Sequence, residues 1–250
     1  MRRPHPRSSQ VAIGGRRPVG EAVRSGRARR VLIARGAHGT EGLQSVLDET
    51  DQAGLSVEWV EPSEIDSLVP HDHQGVAALV TLPAELDQRG LTSSSFEADA
   101  VVVVLDGITD PQNLGACARS AEAAGAAMLV TRKRRAAPLS PGAFKASAGA
   151  LFHLPVARVA NIAQALHALQ ERGFHVVGLD HRARADIHSA PSPSRPLALV
   201  VGAEDVGLSR LVREACDELV AIPLAGRTSS LNASAALAAA LFGYVLRPPR

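Results

Sequence analysis

Three short polar segments carry the side chains best suited to chemistry, and each follows a run of apolar residues. Loop 1 runs from Asp110 to Gly115, loop 2 from Gly202 to Leu208, and loop 3 from Pro223 to Asn232. Counting one residue just beyond loop 1, their candidate functional side chains are Asn113, Arg119, Glu204, Ser230 and Asn232. Amides, a hydroxyl, a carboxylate and a guanidinium supply both donors and acceptors, a combination suited to a polar cofactor.

The loops meet only if the elements before them form one sheet. The run Val101–Leu105 predicts a strand buried on both faces, and 197–201 and 219–222 predict two more. Helical patterns alternate with these strands, which predicts a parallel sheet with helices on both faces. If the three strands are parallel neighbours, the loops converge at the sheet edge where ligands bind in such folds.

Two of the loops lead into helices. Asp110 and Pro111 predict a helix start, with Asp as the N-cap and Pro at the first helical position. Loop 3 leads into an alanine-rich run whose small side chains allow close packing against another segment or a cofactor. Ser230 and Asn232 lie where that helix begins and can satisfy its free N–H groups. Taken alone, loop 3 is equally typical of an ordinary capped helix.

The remaining patterns divide the chain into four parts. Residues 1–9 form a basic tail, and residues 10–82 alternate short strands and helices in a small α/β domain. Residues 83–98 lack clear periodicity and are interpreted as a linker. Residues 99–250 form the larger α/β domain that carries the three loops.

Composition limits the classes of function. The chain has 250 residues, is 46% apolar and carries a net charge of only +2, which predicts folded domains rather than disorder. Aromatic residues make up 3%, which argues against a stacking platform for single-stranded bases. Two cysteines provide neither a disulfide framework nor a zinc site. The absence of a secretory signal or a membrane span favours a cytoplasmic location.

Positive charge is concentrated in two places despite the small net charge. One cluster lies in the first thirty-five residues and the other is the run 132–135. Such clusters fit contact with phosphates, although a solvated tail and a solvated loop explain them equally well. The candidate phosphate contacts in these clusters are Arg16, Arg17, Arg24, Arg27, Arg132 and Arg134.

Two common nucleotide-binding signatures are missing. The turn 106–110 does not supply the Gly-x-Gly-x-x-Gly pattern of a redox dinucleotide site. A phosphate-cradling Gly-x-x-x-x-Gly-Lys-Ser/Thr loop is also absent from the sequence.

The three loops resemble the three motifs of the SpoU/TrmH family of RNA ribose 2′-O-methyltransferases, within the SPOUT superfamily. Loop 1 and Arg119 match Asp-Pro-x-Asn-x-Gly-x-x-x-Arg, and loop 2 matches Gly-x-Glu-x-x-Gly. Residues 222–234 match Ile-Pro-x-x-Gly-x-x-x-Ser-Leu-Asn-x-Ser. The segments 13–19 and 73–76 resemble the small RNA-binding domain, similar to ribosomal protein L30e, that a subset of the family carries.

This resemblance implies a fold and a cofactor. The family's catalytic domain is an α/β domain with a deep trefoil knot that holds S-adenosylmethionine, and its members are homodimers. By motif position, main-chain groups of Gly202, Ile222 and Leu231 hold the cofactor, and Pro223 and Gly226 belong to the same loop. No metal is expected, because the sulfonium already carries an excellent leaving group.

The resemblance also implies roles for the polar side chains. Asn113 orients the ribose or the backbone, Glu204 organises the site, and Ser230 and Asn232 orient Arg119 and the substrate ribose. The family's arginine is proposed to act on the 2′-hydroxyl with help from an RNA phosphate. Because arginine stays protonated in proteins, we favour a phosphate clamp and electrostatic stabiliser over a base for Arg119.

The resemblance favours methylation of a guanosine ribose in the peptidyl-transferase loop of 23S ribosomal RNA. A transfer RNA or an antibiotic-binding ribosomal RNA site is the alternative substrate. A non-catalytic RNA-binding assembly factor is a third possibility, against which the intact set of Asn113, Arg119 and Asn232 speaks.

Overall fold

The structure, a computed structural model, describes residues 10–37, 39, 41–70, 72–191 and 193–246. The predicted basic tail, residues 1–9, lies outside the described residues. The chain forms two compact units. The N-terminal unit contains the chain up to Ala84 together with Leu139–His153, and the C-terminal unit contains Glu85–Pro138 and the chain from Leu154 onward.

The N-terminal unit is built on a four-stranded mixed sheet in the order β1-β4-β2-β3. Its elements are β1 (Gln10–Gly14), α1 (Arg16–Arg24), β2 (Ala28–Ala34), α2 (Glu41–Gln52), β3 (Val57–Val60), α3 (Pro62–Leu68) and β4 (Val76–Thr81). Strand β4 pairs antiparallel with β1 and β2, whereas β2 and β3 are parallel. The alternation predicted for residues 10–82 is therefore confirmed.

The C-terminal unit contains a seven-stranded sheet in the order β7-β6-β5-β10-β8-β11-β9. Every pairing in it is parallel. Its strands are β5 (Val101–Asp106), β6 (Met128–Arg132), β7 (Val156–Val159), β8 (His175–Leu179), β9 (Ala185–Asp186), β10 (Leu197–Gly202) and β11 (Glu218–Ala221). The predicted parallel α/β sheet is confirmed.

Six further helices follow β4 in the chain. They are α4 (Gln88–Ser93), α5 (Pro111–Ala123), α6 (Pro141–Ala146), α7 (Ile162–Gln170), α8 (Arg210–Glu214) and α9 (Ala233–Ala240). Helix α6 belongs to the N-terminal unit, where it packs against β1. Helix α9 packs against α5 and continues into a π-helical turn, Leu241–Val245.

The strand order corrects one expectation about loop 3. Strands β5 and β10 are direct neighbours, but β8 lies between β10 and β11. Loops 1 and 2 thus leave adjacent strands, and loop 3 leaves the second strand beyond β10. All three still leave the carboxyl edge of the sheet, because every strand runs in the same direction.

The stretch 83–98, interpreted from sequence as a linker, is folded against the C-terminal unit. It contains α4, and Leu91 of that helix is fully buried in the main core. The guanidinium of Arg172 donates to the carbonyl oxygens of Leu91 and Ser94 and lies 4.8 Å from the centre of the Phe96 ring. Helix α4 has only six residues, too few to produce a helical period, and distant partners hold the rest of the stretch.

Strands β7 and β9 were not predicted. β7 has the sequence Val-Ala-Arg-Val and follows Pro155, and β9 is two residues long. Such short strands give almost no periodic signal. Among the described residues, no helix has the length and apolarity required to cross a membrane.

Candidate active site

Loop 1 ends in a well-defined helix start. The side chain of Asp110 accepts a hydrogen bond from the backbone N–H of Gln112 at 3.1 Å, and Pro111 occupies the first helical position. The predicted cap is confirmed. Because α5 begins there, Asn113 lies in its first turn, close to the carboxyl edge of the sheet, and its side chain is half-buried.

Loop 2 folds back tightly on the end of β10. The N–H of Gly207 donates to the carbonyl oxygen of Ala203 at 2.7 Å, and Gly207 has a φ of +68°, a conformation that favours glycine. A Cβ atom on Gly202 would lie 2.1 Å from the carbonyl carbon of Gly207. Backbone packing therefore requires glycine at position 202, and the positive φ favours it at position 207. The resulting turn presents Glu204 at its surface.

Loop 3 ends where Asn232 caps α9. The Oδ1 atom of Asn232 accepts from the backbone N–H of Ser234 at 3.0 Å and from its hydroxyl at 2.7 Å. Ser230 and Asn232 were both predicted to accept hydrogen bonds from free N–H groups at the start of this helix, and Asn232 does so. Ser230 is exposed in the loop, and no hydrogen bond of its side chain is formed with the residues described.

Asn232 joins the three loops. Its Nδ2 atom donates to Oδ1 of Asn113 at 2.9 Å and to Oε2 of Glu204 at 3.1 Å. The residues lie 119 and 28 positions apart in sequence, so only the fold brings them together. The predicted convergence of Asn113, Glu204 and Asn232 is confirmed; these three side chains are called the amide triad below.

The amide triad has a fixed polarity. A backbone N–H donates to Oδ1 of Asn232, which identifies that atom as oxygen and the other as nitrogen. Nδ2 of Asn232 therefore faces the two acceptors, and Asn113 must turn its oxygen inward. This leaves the NH₂ group of Asn113 and one carboxylate oxygen of Glu204 without partners among the described residues, available to a ligand.

A cleft of about 570 Å³, open to solvent, lies beside the triad. Its lining consists of residues that follow β8, β10 and β11 and of the first turn of α9: Leu179, Asp180, His181, Val201, Gly202, Ala203, Glu204, Gly207, Ile222, Leu224, Ser229, Ser230, Leu231, Ala233 and Ala236. Apolar and small side chains with a few polar groups are the usual lining of a small-molecule site. Ala233 and Ala236 keep the helix side of the cleft open because their side chains are small.

The cleft contains three of the five residues predicted to hold a cofactor. Gly202, Ile222 and Leu231 line it, whereas Pro223 and Gly226 lie on the exposed part of loop 3 and do not. Sequence reasoning missed Leu179, Asp180 and His181. Their signal was available, because they follow an apolar strand at the same edge of the sheet. The lining fits S-adenosylmethionine, with apolar and small side chains around it and polar groups at the triad end.

Arg119 is not part of this cleft. It lies six residues beyond Asn113 on α5, which places it about 9 Å along the helix axis and roughly 240° around it. Its side chain is exposed and forms no hydrogen bond or ion pair with any residue the structure describes. Among the described residues of one chain, the side chain of Arg119 forms no hydrogen bond with Ser230 or Asn232, and the side-chain amide of Asn232 is bonded to Asn113, Glu204 and Ser234. That Ser230 and Asn232 orient Arg119 stays a prediction.

The arginines predicted as RNA contacts in the N-terminal unit have different environments. Arg24 forms ion pairs with Glu21 and Glu49. Arg16 is half-buried, and its N–H donates to the side chain of Gln74 at 3.4 Å. Arg17 is exposed. The side chain of Arg27, half-buried, makes no hydrogen bond or ion pair within the part of the chain described here.

The second basic cluster also separates into two kinds of residue. Arg132, predicted as an RNA contact, turns inward and forms an ion pair of 2.6 Å with the buried carboxylate of Asp106. Lys133, Arg134 and Arg135 are exposed. The guanidinium of Arg158 donates to the carbonyl oxygens of Arg132 and Lys133 and holds this loop.

Neither cysteine is a candidate nucleophile. Burial raises the pKa of the Cys117 thiol to about 12. Burial, together with the nearby Asp217, Asp106 and Asp180, raises the pKa of Cys216 to about 12. Both thiols therefore stay protonated at neutral pH and lack nucleophilic character.

Sequence comparisons identify the family to which this site belongs. Residues 100–242 match the SpoU rRNA Methylase family, and residues 12–86 match the RNA 2′-O ribose methyltransferase substrate-binding family. The chain belongs to the SpoU rRNA methylase family. All three loops lie within the first match, and the second match covers most of the N-terminal unit.

Individual relatives agree with this assignment. The chain is 42% identical over 195 residues to a putative TrmH family tRNA/rRNA methyltransferase of Bacillus subtilis, covering 77% of this chain and 78% of the relative. It is 39% identical over 205 residues to the 23S rRNA (guanosine-2′-O-)-methyltransferase RlmB of Vibrio parahaemolyticus, covering 81% and 83%.

A solved structure of another SpoU enzyme contains the cofactor. The SpoU methyltransferase AviRb from Streptomyces viridochromogenes, in complex with AdoMet, superposes with a TM-score of 0.74 at 29% identity, covering 95% of this chain and 89% of that one. The chain is an S-adenosylmethionine-dependent RNA methyltransferase, and its residues fit that cofactor in the cleft beside the amide triad.

Proposed function

We propose that this protein transfers a methyl group from S-adenosylmethionine to the ribose 2′-hydroxyl of a guanosine in the peptidyl-transferase loop of 23S ribosomal RNA. The observation that carries the proposal is the amide triad beside a cleft lined by small, apolar and polar residues at the carboxyl edge of the sheet. The name of the relative from Vibrio supports guanosine of 23S rRNA as the target.

The protein's task in this reaction is alignment and charge stabilisation. S-adenosylmethionine supplies an electrophilic methyl group when bound. The ribose hydroxyl must approach that methyl group in line, and its proton must leave. The unpaired NH₂ group of Asn113 orients the ribose, and Glu204 holds Asn232 through a charge-assisted hydrogen bond. Ser230, at the edge of the cleft, provides a further donor to the substrate.

Arg119 acts as a phosphate clamp in this proposal. Its guanidinium is exposed and has no acidic partner among the described residues, so it is free to bind an RNA phosphate. Because Arg119 lies outside the cleft of its own chain, the proposal requires that Arg119 reach a phosphate of the bound RNA from the second protomer of the homodimer proposed below. The clamp then stabilises charge near the hydroxyl without giving up a proton.

The proposed RNA-binding surface has two parts. In the N-terminal unit, Arg16 and Arg17 at the start of α1 contact the RNA backbone. In the C-terminal unit the exposed residues 133–135 replace Arg132 as the phosphate contacts, since Arg132 is bound to Asp106. Contacts of this kind depend on salt because bound phosphates release counterions.

We further propose that the protein is a homodimer whose C-terminal segment forms the trefoil knot implied by the family resemblance. Phe242 and Leu246, one helical turn apart in sequence, are 52% and 41% exposed. Large apolar side chains grouped in this way mark an interaction surface. Light scattering should give twice the mass of the chain, and an active monomer would refute the dimer.

Mapping of ribose methylation tests the proposed substrate. Total RNA from cells with and without the protein is compared for 2′-O-methyl groups at single-nucleotide resolution. A single guanosine of the peptidyl-transferase loop should lose its methyl group in the absence of the protein. A change in transfer RNA or at another ribosomal site would replace the proposed substrate, and no change anywhere would favour an assembly factor.

A further inference from the structure

Asp106 is a buried carboxylate that the reaction chemistry above does not use. It is the last residue of β5, and its side chain is 2% exposed. Its Oδ1 atom accepts from Nη2 of Arg132 at 2.6 Å, and its Oδ2 atom accepts from the backbone N–H of Ser209 at 2.7 Å. A carboxylate at this depth requires such partners, because burying an unpaired charge is costly.

The sheet register gives Asp106 a third connection. In the pairing of β5 with β10, Asp106 lies directly opposite Gly202. Loop 2 leaves β10 at Gly202 and reaches α8 at Ser209. One residue of the neighbouring strand therefore holds both ends of the segment 203–208, through strand pairing at one end and through its carboxylate at the other.

The segment held in this way carries Glu204. Within it, Gly207 is bonded to Ala203, and Leu208 is 3% exposed and anchored in the core. Glu204 in turn accepts from Asn232 at 3.1 Å. A shift of the Ser209 end would move the turn that presents Glu204, and with it the cleft wall formed by 202–204 and 207.

Arg132 completes the arrangement from the other side. It is the last residue of β6, the strand that pairs with β5, and its Nη2 atom also lies 3.4 Å from the hydroxyl of Ser209. The guanidinium thus contacts both partners, the carboxylate and the residue that the carboxylate holds. Charge-assisted hydrogen bonds of this kind are stronger than neutral ones.

We infer that Asp106, supported by Arg132, is a positioning residue that sets the place of Glu204 and of the loop 2 wall of the cofactor cleft. This rests on the proposed role of the amide triad. Asp106 touches neither the cleft nor the triad, so its effect passes through loop 2 alone.

The test measures cofactor affinity and loop protection in the full-length protein without RNA. In Asp106→Asn the side chain keeps an acceptor for Ser209 but loses the charge that pairs with Arg132. We expect calorimetry with S-adenosylmethionine to give a Kd raised about tenfold, the size expected for a lost charge-assisted hydrogen bond. Amide hydrogen exchange at 203–209 should become faster. Arg132→Gln should change both quantities in the same direction.

The matched control is Val102→Ala, on the same strand and fully buried. It removes core contacts near the start of β5, four residues before Asp106, and leaves the carboxylate of Asp106 in place, so it should lower the melting temperature and leave the cofactor Kd unchanged. The double variant Asp106→Asn/Arg132→Gln should be no worse than the poorer single variant, since both act on one contact.

Two results would overturn the inference. One is an unchanged Kd and unchanged exchange in folded Asp106→Asn or Arg132→Gln. The other is an equal change in Val102→Ala. Glu204→Gln provides the reference for the triad: if it binds the cofactor and methylates RNA normally, the triad proposal fails and the inference fails with it. A different RNA target leaves these readouts intact, because neither requires RNA.

Discussion

The two units use polar side chains in opposite ways. In the C-terminal unit, Asn113, Glu204 and Asn232 bind one another, and Asn232 also caps a helix. In the N-terminal unit some basic side chains instead form exposed ion pairs: Arg30 with Glu58, and Arg35 with Glu61 at 3.6 Å. The hydrogen bonds of the triad hold each of its side chains in one orientation, whereas an exposed arginine can exchange its acidic partner for another anion.

This difference separates chemistry from binding. A ribose hydroxyl must be aligned with a methyl donor, so the side chains that align it need fixed positions. Exposed ion pairs are worth about 0–1 kcal/mol each, so a phosphate can replace their acidic members at little cost. We therefore expect steep losses of turnover from changes at the triad and graded losses of affinity from changes among the arginines.

The largest effect is expected for Arg119, which belongs to neither arrangement. Arg119→Ala removes an exposed cation that has no partner in the described structure, so folding and cofactor binding should be preserved. Turnover should fall by about two to three orders of magnitude, because the charge that develops near the reacting hydroxyl loses its stabilisation. Single-turnover methylation with saturating RNA measures this, and an unchanged rate would remove Arg119 from the reaction.

A substitution at Asn232 tests whether the triad needs its polarity. Asn232→Asp keeps an acceptor for the N–H of Ser234, so α9 should stay capped. The Nδ2 donor is lost, and a second carboxylate then faces Glu204. We expect kcat to fall about 100-fold with little change in melting temperature.

Asn161→Asp is the control for this change. Asn161 caps α7 by accepting from the N–H of Gln164, in the same unit but outside the cleft. The same substitution there should leave both stability and turnover unchanged. Equal activity losses in the two variants would mean that capping, and not the orientation of the triad, explains the effect of Asn232.

The parts predicted from sequence share a local cause. The continuous run of β5, the cap of α5 and the spacing of the three loops depend on residues close together in the chain. The convergence of the loops follows from parallel strands alone, which is why sequence patterns suffice to group Asn113, Glu204 and Asn232. The family resemblance implies that Gly202, Ile222 and Leu231 hold the cofactor; all three line the cleft, and their contact with the cofactor stays a prediction.

The parts that failed depend on distant partners. The side chain of Arg132 points inward because it binds the carboxylate of Asp106, 26 positions away in the sequence. The three basic residues that follow Arg132 in the sequence indicate an exposed contact instead. The stretch 83–98 is ordered by Arg172 and by β7, not by its own pattern. The motif spacing places Arg119 on α5 but does not say whether it faces the cleft of its own chain, so its part in the reaction stays a prediction.

The graded behaviour expected of the N-terminal unit is tested at Arg17. Arg17→Glu replaces an exposed cation at the start of α1 by an anion, and the affinity for an rRNA fragment should fall about tenfold at low salt. The control is Arg35→Glu, the same change at a residue paired with Glu61 elsewhere on the unit. Fluorescence anisotropy across a salt series measures both. Equal losses of RNA affinity in the two variants would mean that the net charge of the unit explains the effect and that Arg17 makes no defined contact with RNA.

The smallest effect is expected in the second basic cluster, where neighbours should behave differently. Arg134→Ala should weaken RNA binding about threefold and make the dependence of log Kd on log salt shallower by about 0.7–0.9, as for one lost phosphate contact. The free energy of unfolding of this variant should stay within about 0.5 kcal/mol of the original, as is usual for an exposed position.

Arg132→Ala should instead lower the free energy of unfolding by about 2 kcal/mol, because it leaves the carboxylate of Asp106 buried without its cation. Anisotropy and denaturant unfolding of both variants separate the two. If Arg132→Ala changed the salt dependence of RNA binding and left the stability unchanged, Arg132 would bind RNA rather than stabilise the sheet. The contrast between fixed and exchangeable side chains would then fail for this residue.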